Sequence, residues 1–294
     1  MSLEDWGSAV RRVADAAGPA VVGVARHRAG GSGVVIGPDR VLTNAHNADP
    51  EGVRVLFGDG RAEESDVVGV DVDGDLVVLE AATGSVPSAE WGDGDALGLG
   101  TPVVALANPG GRGLRATPGF VSATGRAFRG PRGRRIEGAV EHTAPMPAGS
   151  SGGPLFDLAG RLVGVNTHRL AEGFYLALPA TAALQARVRA LAAGESPRGR
   201  RLGVSLAPVP VARRLRRAVG LPDAEGLLVR QVEEDSPAEA AGLGVGDLLV
   251  AAAGRPLVMV EDLHAVLERF EGEAIELRVL RGTEERTVTI RFGG

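Results

Sequence analysis

The sequence predicts a mainly β protein built in two parts, and three observations lead there. Short apolar runs of strand length are separated by Gly, Pro, Asp or Asn. The chain has 44 glycines but only 3% aromatic residues, a balance that favours many tight turns over helical bundles. No long amphipathic helices alternate with the strands, as a parallel α/β sheet would require. With 294 residues, 44% hydrophobic and 23% charged, the chain is long enough for one or two buried cores and too apolar for wholesale disorder.

In chain order, Val10, Val13 and Ala14 fall at helical spacing, so residues 7–16 read as a short amphipathic helix ended by Gly18-Pro19. From there to residue 180 the runs AVVGVARH, GVVIG, RVLTNAH, GVRVLFG, DLVVLEA, PVVALAN, RLVGVNTH and FYLALP read as strands of an antiparallel barrel or sandwich. Residues 180–193 form a helix, and GESPRGR at 194–200 is a polar Gly/Pro linker. The domains are therefore 1–193 and 201–294, the second a small α+β unit. In it Ser236-Pro237-Ala238-Glu239 is a capping box with Pro at the first helical position, and Gly242 closes that helix. A second helix sets Leu263, Val266, Leu267 and Phe270 on one face ahead of Gly272. AIELRVL and TVTIRF alternate apolar and polar residues across a turn at Arg281-Gly282, as a hairpin does. No internal repeat is visible.

Composition excludes several function classes. Net charge is −5 and all 32 basic residues are Arg, so no electrostatic footprint for nucleic acid stands out. The absence of Cys removes disulfides, thiolate zinc sites, iron–sulfur ligation and cysteine nucleophiles. No apolar run approaches the ~20 residues of a membrane span. The first residues, MSLEDWGSAVRRVADAAGPAVVGVA, lack the basic start, apolar core and cleavage site of a signal peptide, so the expectation is a cytoplasmic protein or one whose export segment is missing. His27, His142, His168 and His264 share no metal-ligand spacing. Asp71-Val72-Asp73-Gly74-Asp75 has the look of a calcium loop, but no carboxylate falls at the twelfth position from Asp71. No metal site is expected.

Gly149-Ser150-Ser151-Gly152-Gly153-Pro154-Leu155 is the informative stretch. A serine hydroxyl needs a base within hydrogen-bond reach and donors for a developing oxyanion, and flanking glycines let backbone N–H groups turn inward to supply them. A plain linker would not run straight into Pro154-Leu155-Phe156 and Gly160-Arg161-Leu162-Val163-Gly164-Val165, which read as a buried hairpin. Upstream, His46 ends the strand Val41-Leu42-Thr43-Asn44-Ala45-His46. Asp75 stands directly before Leu76-Val77-Val78-Leu79, where a carboxylate can be carried into a partly buried place and orient a histidine. The order His46, Asp75, Ser151 matches the chymotrypsin-type arrangement. Two competing motifs fail on context. The G-x-S-x-G nucleophile elbow wants a helix after the serine, where Gly152-Gly153-Pro154 stands, and the G-x-G-x-x-A at 111–116 is followed by helix-blocking Pro118-Gly119.

With these residues in place, the sequence resembles the HtrA/Deg family of trypsin-like serine proteases carrying a PDZ domain. The resemblance runs over residues 8–292, through GSGVVIGPDRVLTNAH at 31–46, DLVVL at 75–79, ALANPGG at 105–111, GFVSATGR at 119–126, GSSGGPLFD at 149–157, GRLVGVNT at 160–167, GFYLALP at 173–179 and SPAEAAGLGVGDLLVAAAGRPL at 236–257. It implies a chymotrypsin-like double β-barrel with its active site in the cleft between barrels, followed by a small α+β PDZ domain. It implies a Ser151 nucleophile, a His46 base and an orienting Asp75. The oxyanion hole would be made by the backbone N–H groups of Gly149 and Ser151, with Ser150 between them. No cofactor is implied. The specificity pocket would be lined by Pro145, Met146, Pro147 and Ala148, and the absence of an acid six residues before Ser151 points to small aliphatic residues on the acyl side of the cut bond. The PDZ domain would hold hydrophobic C-terminal peptides on a loop of Arg201, Leu202, Gly203 and Val204, closed by the helix bearing Leu263 and Val266. Substrates would be unfolded proteins or peptides, and family members are typically trimers built on aromatic contacts, for which Trp6 is a candidate. The chain departs from the family at Ser150, usually Asn, and at Pro145 and Pro147. The rival reading from another class is a peptide-binding scaffold or chaperone-like protein with an inactive or latent protease domain, against which the intact His, Asp and Ser count.

Overall fold

Strands with one apolar face cannot leave that face in water, and in this chain they close on themselves twice. The computed structural model describes residues 3–26, 29–48, 52–130, 135–170, 173–196, 202–270 and 272–292. His27, Arg201 and residues 197–200 of the expected linker lie outside the described residues. The chain separates into two compact units, residues 1–197 and 198–294.

The first unit opens with α1 (Leu3–Ala17), longer than the predicted 7–16. Its Ala9, Val13 and Ala17 are buried, and its axis stops where Gly18-Pro19 begin a 3-10 turn. Then come β1 (Val21–Arg26), β2 (Ala29–Gly37), β3 (Arg40–Thr43), β4 (Val53–Leu56), β5 (Ala62–Asp71) and β6 (Leu76–Glu80), which close into a barrel in the order β1-β2-β3-β6-β5-β4. The chain continues through β7 (Pro102–Ala107), β8 (Arg115–Arg129), β9 (Arg135–His142), β10 (Pro154–Phe156), β11 (Leu162–Arg169) and β12 (Tyr175–Pro179), a second closed barrel in which β7-β8-β9-β12-β11-β10 repeats the same connectivity. The pairings between barrel strands are antiparallel. Closure leaves neither barrel an open edge.

One apolar core joins the barrels. Val41, Leu42, Val77 and Leu79 of the first share it with Leu106, Phe156, Leu162 and Val165 of the second. Helix α2 (Ala182–Ala192) starts at Thr181, whose Oγ1 accepts from the Leu184 N–H at 3.2 Å, and drives Val188 and Leu191 into that core.

The second unit contains β13 (Val204–Ala207), α3 (Val209–Ala218), β14 (Leu227–Val232), α4 (Pro237–Ala240), β15 (Leu248–Ala252), β16 (Arg255–Pro256), α5 (Val260–Arg269), β17 (Ala274–Arg281) and β18 (Glu284–Arg291). The sheet runs β13-β14-β15-β17-β18, with β16 beside β15. Period-two alternation along β14 sends Leu227 and Val229 to the side shared with Leu263 and Val266, and Leu228 to the side shared with Ala212 of α3.

The sequence reading assigned no helix at α3, where Arg213, Arg214, Arg216 and Arg217 hide the apolar stripe. Arg216 is itself buried, donating to the carbonyls of Pro222 (3.2 Å) and Gly282 (3.0 Å). At α4 the Ser236 hydroxyl accepts from Glu239 N–H at 3.2 Å, while the Glu239 side chain reaches Asp235 N–H at 2.8 Å, one residue earlier than a regular capping box. The hairpin turn falls one residue later than expected, since Arg281 pairs with Glu284 across Gly282-Thr283.

Leu191 tests how far the first unit depends on α2. Leu191→Ala leaves a cavity at a fully buried site and is expected to lower unfolding free energy by roughly 3 kcal/mol in urea titration, whereas exposed Arg189→Ala stays within about 0.5 kcal/mol.

Candidate active site

Backbone geometry places the first two candidate groups. The chain leaves β3 at Thr43 and, instead of ending in a strand, makes a 3-10 turn over Ala45–Asn47 that presents His46 half-exposed. Asp75 closes a tight turn in which the Asp71 side chain accepts from Gly74 N–H at 2.8 Å and pairs with Arg187 at 2.9 Å. Asp75 adopts φ +56°, a left-handed conformation that Asp tolerates better than most side chains, and this swings its carboxyl group inward just before β6. The residue is 1% exposed. His46 Nδ1 lies 2.9 Å from both carboxylate oxygens and the His46 main-chain N–H donates to Oδ1 at 3.1 Å. The Thr167 hydroxyl donates to Oδ2 at 2.8 Å, and the Asn44 amide donates to the Asp75 carbonyl at 2.9 Å. With Nδ1–H given to the carboxylate, Nε2 is left as the acceptor.

The two adjacent serines are separated by direction. Ser150 turns inward, 4% exposed, and its hydroxyl has no partner among the described residues. Ser151 is half-buried, and its hydroxyl donates at 2.8 Å to the carbonyl of Thr167, the residue whose side chain holds Asp75. Among the described residues no hydrogen bond joins Ser151 Oγ to His46. Such bonds often tighten only once substrate is bound. Gly149 sits at φ +86° and Gly152 at φ +84°, and neither the Gly149 nor the Ser151 N–H has an acceptor among the described residues. Two unsatisfied donors beside a nucleophile are what a developing oxyanion needs.

A cavity of about 220 Å³ adjoins Ser151, with Met146, Asn166, Tyr175 and Leu176 among its lining. Pro147 and Ala148 reach it, but Pro145 does not, which corrects the sequence expectation. In this extended segment Ala144 and Met146 turn into the protein, so Pro145 between them turns out. Asn166, Thr167, Tyr175 and Leu176 were not named as pocket residues, although GRLVGVNT and GFYLALP drew attention to their strands. At the cavity's edge His142 Nε2 lies 2.8 Å from Asn166 Oδ1, and the Asn166 amide donates to the carbonyls of Gly153 and Pro154 at 2.9 and 3.1 Å. That fixes the proton on Nε2 and leaves Nδ1 without a partner among the described residues, on a ring stacked 5.9 Å from Tyr175. Burial pushes the His142 pKa down to about 4, only partly offset by the Asn166 hydrogen bond.

In the second unit β13 forms one margin of the sheet. Leu202 is buried, Gly203 sits at φ +78° and Val204 is half-buried. Leu263 and Val266 are core residues at 3% and 6% exposure, and Val260 and Leu267 of α5 are partly exposed and pack against the same core.

Comparison with known proteins agrees with this fold. The family model of the trypsin-like peptidase domain matches residues 31–165, and that of the PDZ domain matches 201–292. A protein of Pseudomonas savastanoi pv. phaseolicola described as a probable periplasmic serine endoprotease DegP-like is 34% identical over 271 residues, covering 90% of this chain and 55% of its own. Its namesake in Ectopseudomonas mendocina is 35% identical over the same length, covering 90% of this chain and 56% of its own. The chain thus spans about half the length of the curated relatives it matches. Among solved structures, the HtrA-type protease AlgW with decapeptide is 25% identical with a TM-score of 0.59, covering 96% of this chain and 97% of that one. The serine endoprotease from Yersinia pestis is 27% identical with a TM-score of 0.57, covering 96% of each. The fold is chymotrypsin-like, followed by a PDZ domain.

His142 gives the first unit a pH dependence of defined sign. The unfolded chain takes a proton near 6.5 and the folded chain near 4. Between those values the unfolded state holds more protons, so this contribution is complete above pH 6.5, falls with pH, and is exhausted below about 4. Denaturant titrations at pH 7.5 and 4.5 are expected to differ by up to about 3 kcal/mol more in the wild type than in His142→Gln.

Proposed function

The chain belongs to the HtrA/Deg family of trypsin-like serine proteases with a C-terminal PDZ domain, and on that premise we propose that it is a serine endopeptidase that cuts unfolded or misfolded proteins through an acyl-enzyme. The observation that carries the reading is Thr167, whose hydroxyl donates to Asp75 while its carbonyl receives the Ser151 hydroxyl, so that one residue touches acid and nucleophile together.

In this mechanism the Ser151 hydroxyl swings from the Thr167 carbonyl to His46 Nε2 and transfers its proton there as Oγ bonds to the scissile carbonyl carbon. The carbonyl oxygen becomes an anion facing the unsatisfied N–H groups of Gly149 and Ser151, each worth ~3 kcal/mol to the transition state. His46 then protonates the leaving amine as the C–N bond breaks. Water, deprotonated by His46, attacks the ester carbon, and His46 returns that proton to Ser151 Oγ as the ester C–O bond breaks and the new carboxyl end leaves. Asp75 keeps the imidazole in the tautomer that presents Nε2 and stabilises its protonated form.

Met146 and Leu176 make the cavity beside Ser151 apolar, and among the described residues its lining offers no carboxylate to a basic side chain. We therefore assign it small aliphatic residues such as Val, Ala or Ile. The margin strand β13 supports β-augmentation by a hydrophobic C-terminal peptide, with Leu202–Val204 as the carboxylate loop. The periplasmic description of the relatives supports an extracytoplasmic site of action. For a homotrimer the supporting feature is an aromatic surface, Trp6 stacked on half-exposed Phe120 at 5.4 Å.

Digestion of an unfolded protein, with cut sites mapped by mass spectrometry, tests the catalytic assignment. Cuts after Val, Ala and Ile are expected, abolished in Ser151→Ala and retained in Ser150→Ala, whose lost hydroxyl had no partner among the described residues. Dominant cuts after Arg would refute the pocket assignment, and activity surviving in Ser151→Ala would refute the nucleophile. For the PDZ domain, a labelled peptide ending in hydrophobic residues is expected to bind by fluorescence anisotropy and to raise turnover. Unchanged rates at saturation would remove the regulatory role.

A further inference from the structure

The carbonyls flanking the Ser150–Ser151 peptide bond are both held by first-barrel residues that no part of the mechanism above uses. The Ser151 carbonyl receives two donors, the Ser32 main-chain N–H and the Asn47 side-chain amide, each at 2.9 Å. The same Asn47 nitrogen donates to Thr43 Oγ1 at 3.0 Å, and the Thr43 hydroxyl donates to the Ser32 carbonyl at 2.6 Å, which closes a ring through Ser32, Thr43, Asn47 and Ser151. The Ser32 hydroxyl donates in turn to the Gly149 carbonyl at 2.9 Å while accepting from Asn108 N–H at 3.0 Å. Ser32 and Thr43 are fully buried and Asn47 is 5% exposed. The glycines nearby leave room for this ring. A Cβ on Gly31 would overlap the Asn47 amide, and one on Gly152 would overlap both the Ser32 carbonyl and Thr43 Oγ1.

The Ser151 N–H shares its peptide plane with the Ser150 carbonyl, which accepts from Gly153 N–H at 2.9 Å. The planes before and after it carry the Gly149 and Ser151 carbonyls held by Ser32 and Asn47, so the Ser151 N–H cannot turn without breaking one of these bonds. Buried hydrogen bonds of this kind resist rotation because breaking them strands polar atoms away from water. Asn47 also follows His46 directly, so its bond to the Ser151 carbonyl ties the short 3-10 turn bearing the base to the loop bearing the nucleophile. We propose that Ser32 and Asn47 are positioning residues, which hold the Gly149–Ser151 loop with its oxyanion donors presented and keep base and nucleophile in register across the two barrels. The proposal rests on the protease reading of Ser151.

Steady-state cleavage of a chromogenic peptide by Asn47→Ala, Asn47→Asp and Ser32→Ala tests it, with rates normalised to sites titrated by a fluorophosphonate so that misfolded molecules are not counted. Asn47→Asp preserves shape but sets an acceptor against the Ser151 carbonyl, and Ser32→Ala leaves the Ser32 main-chain bond in place. Misaligned oxyanion donors act on the transition state alone, so kcat per titrated site is expected to fall on the order of tenfold or more while KM stays within about twofold and the midpoint of the pH profile does not move. A kcat per site within about twofold of wild type in all three variants, or a loss confined to KM, overturns the positioning role. A wild type that neither labels at Ser151 nor cleaves peptide overturns the protease reading itself.

Discussion

A carboxylate buried to 1% exposure is tolerable only if its oxygens find donors, and the way Asp75 finds them organises the first unit. Two donors come from His46, 29 residues earlier, and one from Thr167, 92 residues later in the other barrel. The His46 bonds lie within the first barrel, and only the Thr167 bond reaches across to the second. The imidazole's orientation follows from the same contacts, because a ring that gives Nδ1–H to the carboxylate presents Nε2 on its far side. The carboxylate therefore sets the tautomer and also draws the second barrel's Thr167 to the first.

The division of labour between the barrels follows from their matched connectivity. Both wind six strands in the same order, although no repeat is visible in the sequence. What the two halves share is a constraint on closure and hand, which apolar residues of many identities satisfy. The halves are then free to differ at their rims, one carrying imidazole and carboxylate, the other the serine, its amide donors and the cavity.

The sequence was legible where strands are buried and opaque where they are wet. Leu76–Leu79 in β6 and Val103–Ala107 in β7 are continuous apolar stretches and announce themselves. Strand β5, reading AEESDVVGVD, and the Arg- and Gly-rich outer halves of β8 and β9 face solvent along much of their length and carry too little apolar signal to mark their bounds. His46, Asp75 and Ser151 stood out because glycines, strand ends and a family resemblance framed them. Thr167, Asn47 and Ser32 did not, since each is an ordinary polar residue whose role lies in contacts 92 to 117 residues away along the chain. Pro145 adjoins the cavity in sequence but not in space, because an extended segment turns alternate residues to opposite sides.

The margin strand β13 bears on the proposed binding of peptides. Among the described residues its outer row of amide and carbonyl groups has no partner strand within the unit, and any extended segment is a chemical match for such a row. Length is the restraint, because β13 runs only from Val204 to Ala207. So brief a template grips an arbitrary backbone weakly, and a lasting hold must draw on the chain end and its final side chains. In the proposed peptide-binding role, the shortness of one strand would sort finished termini from the interior stretches of other polypeptides.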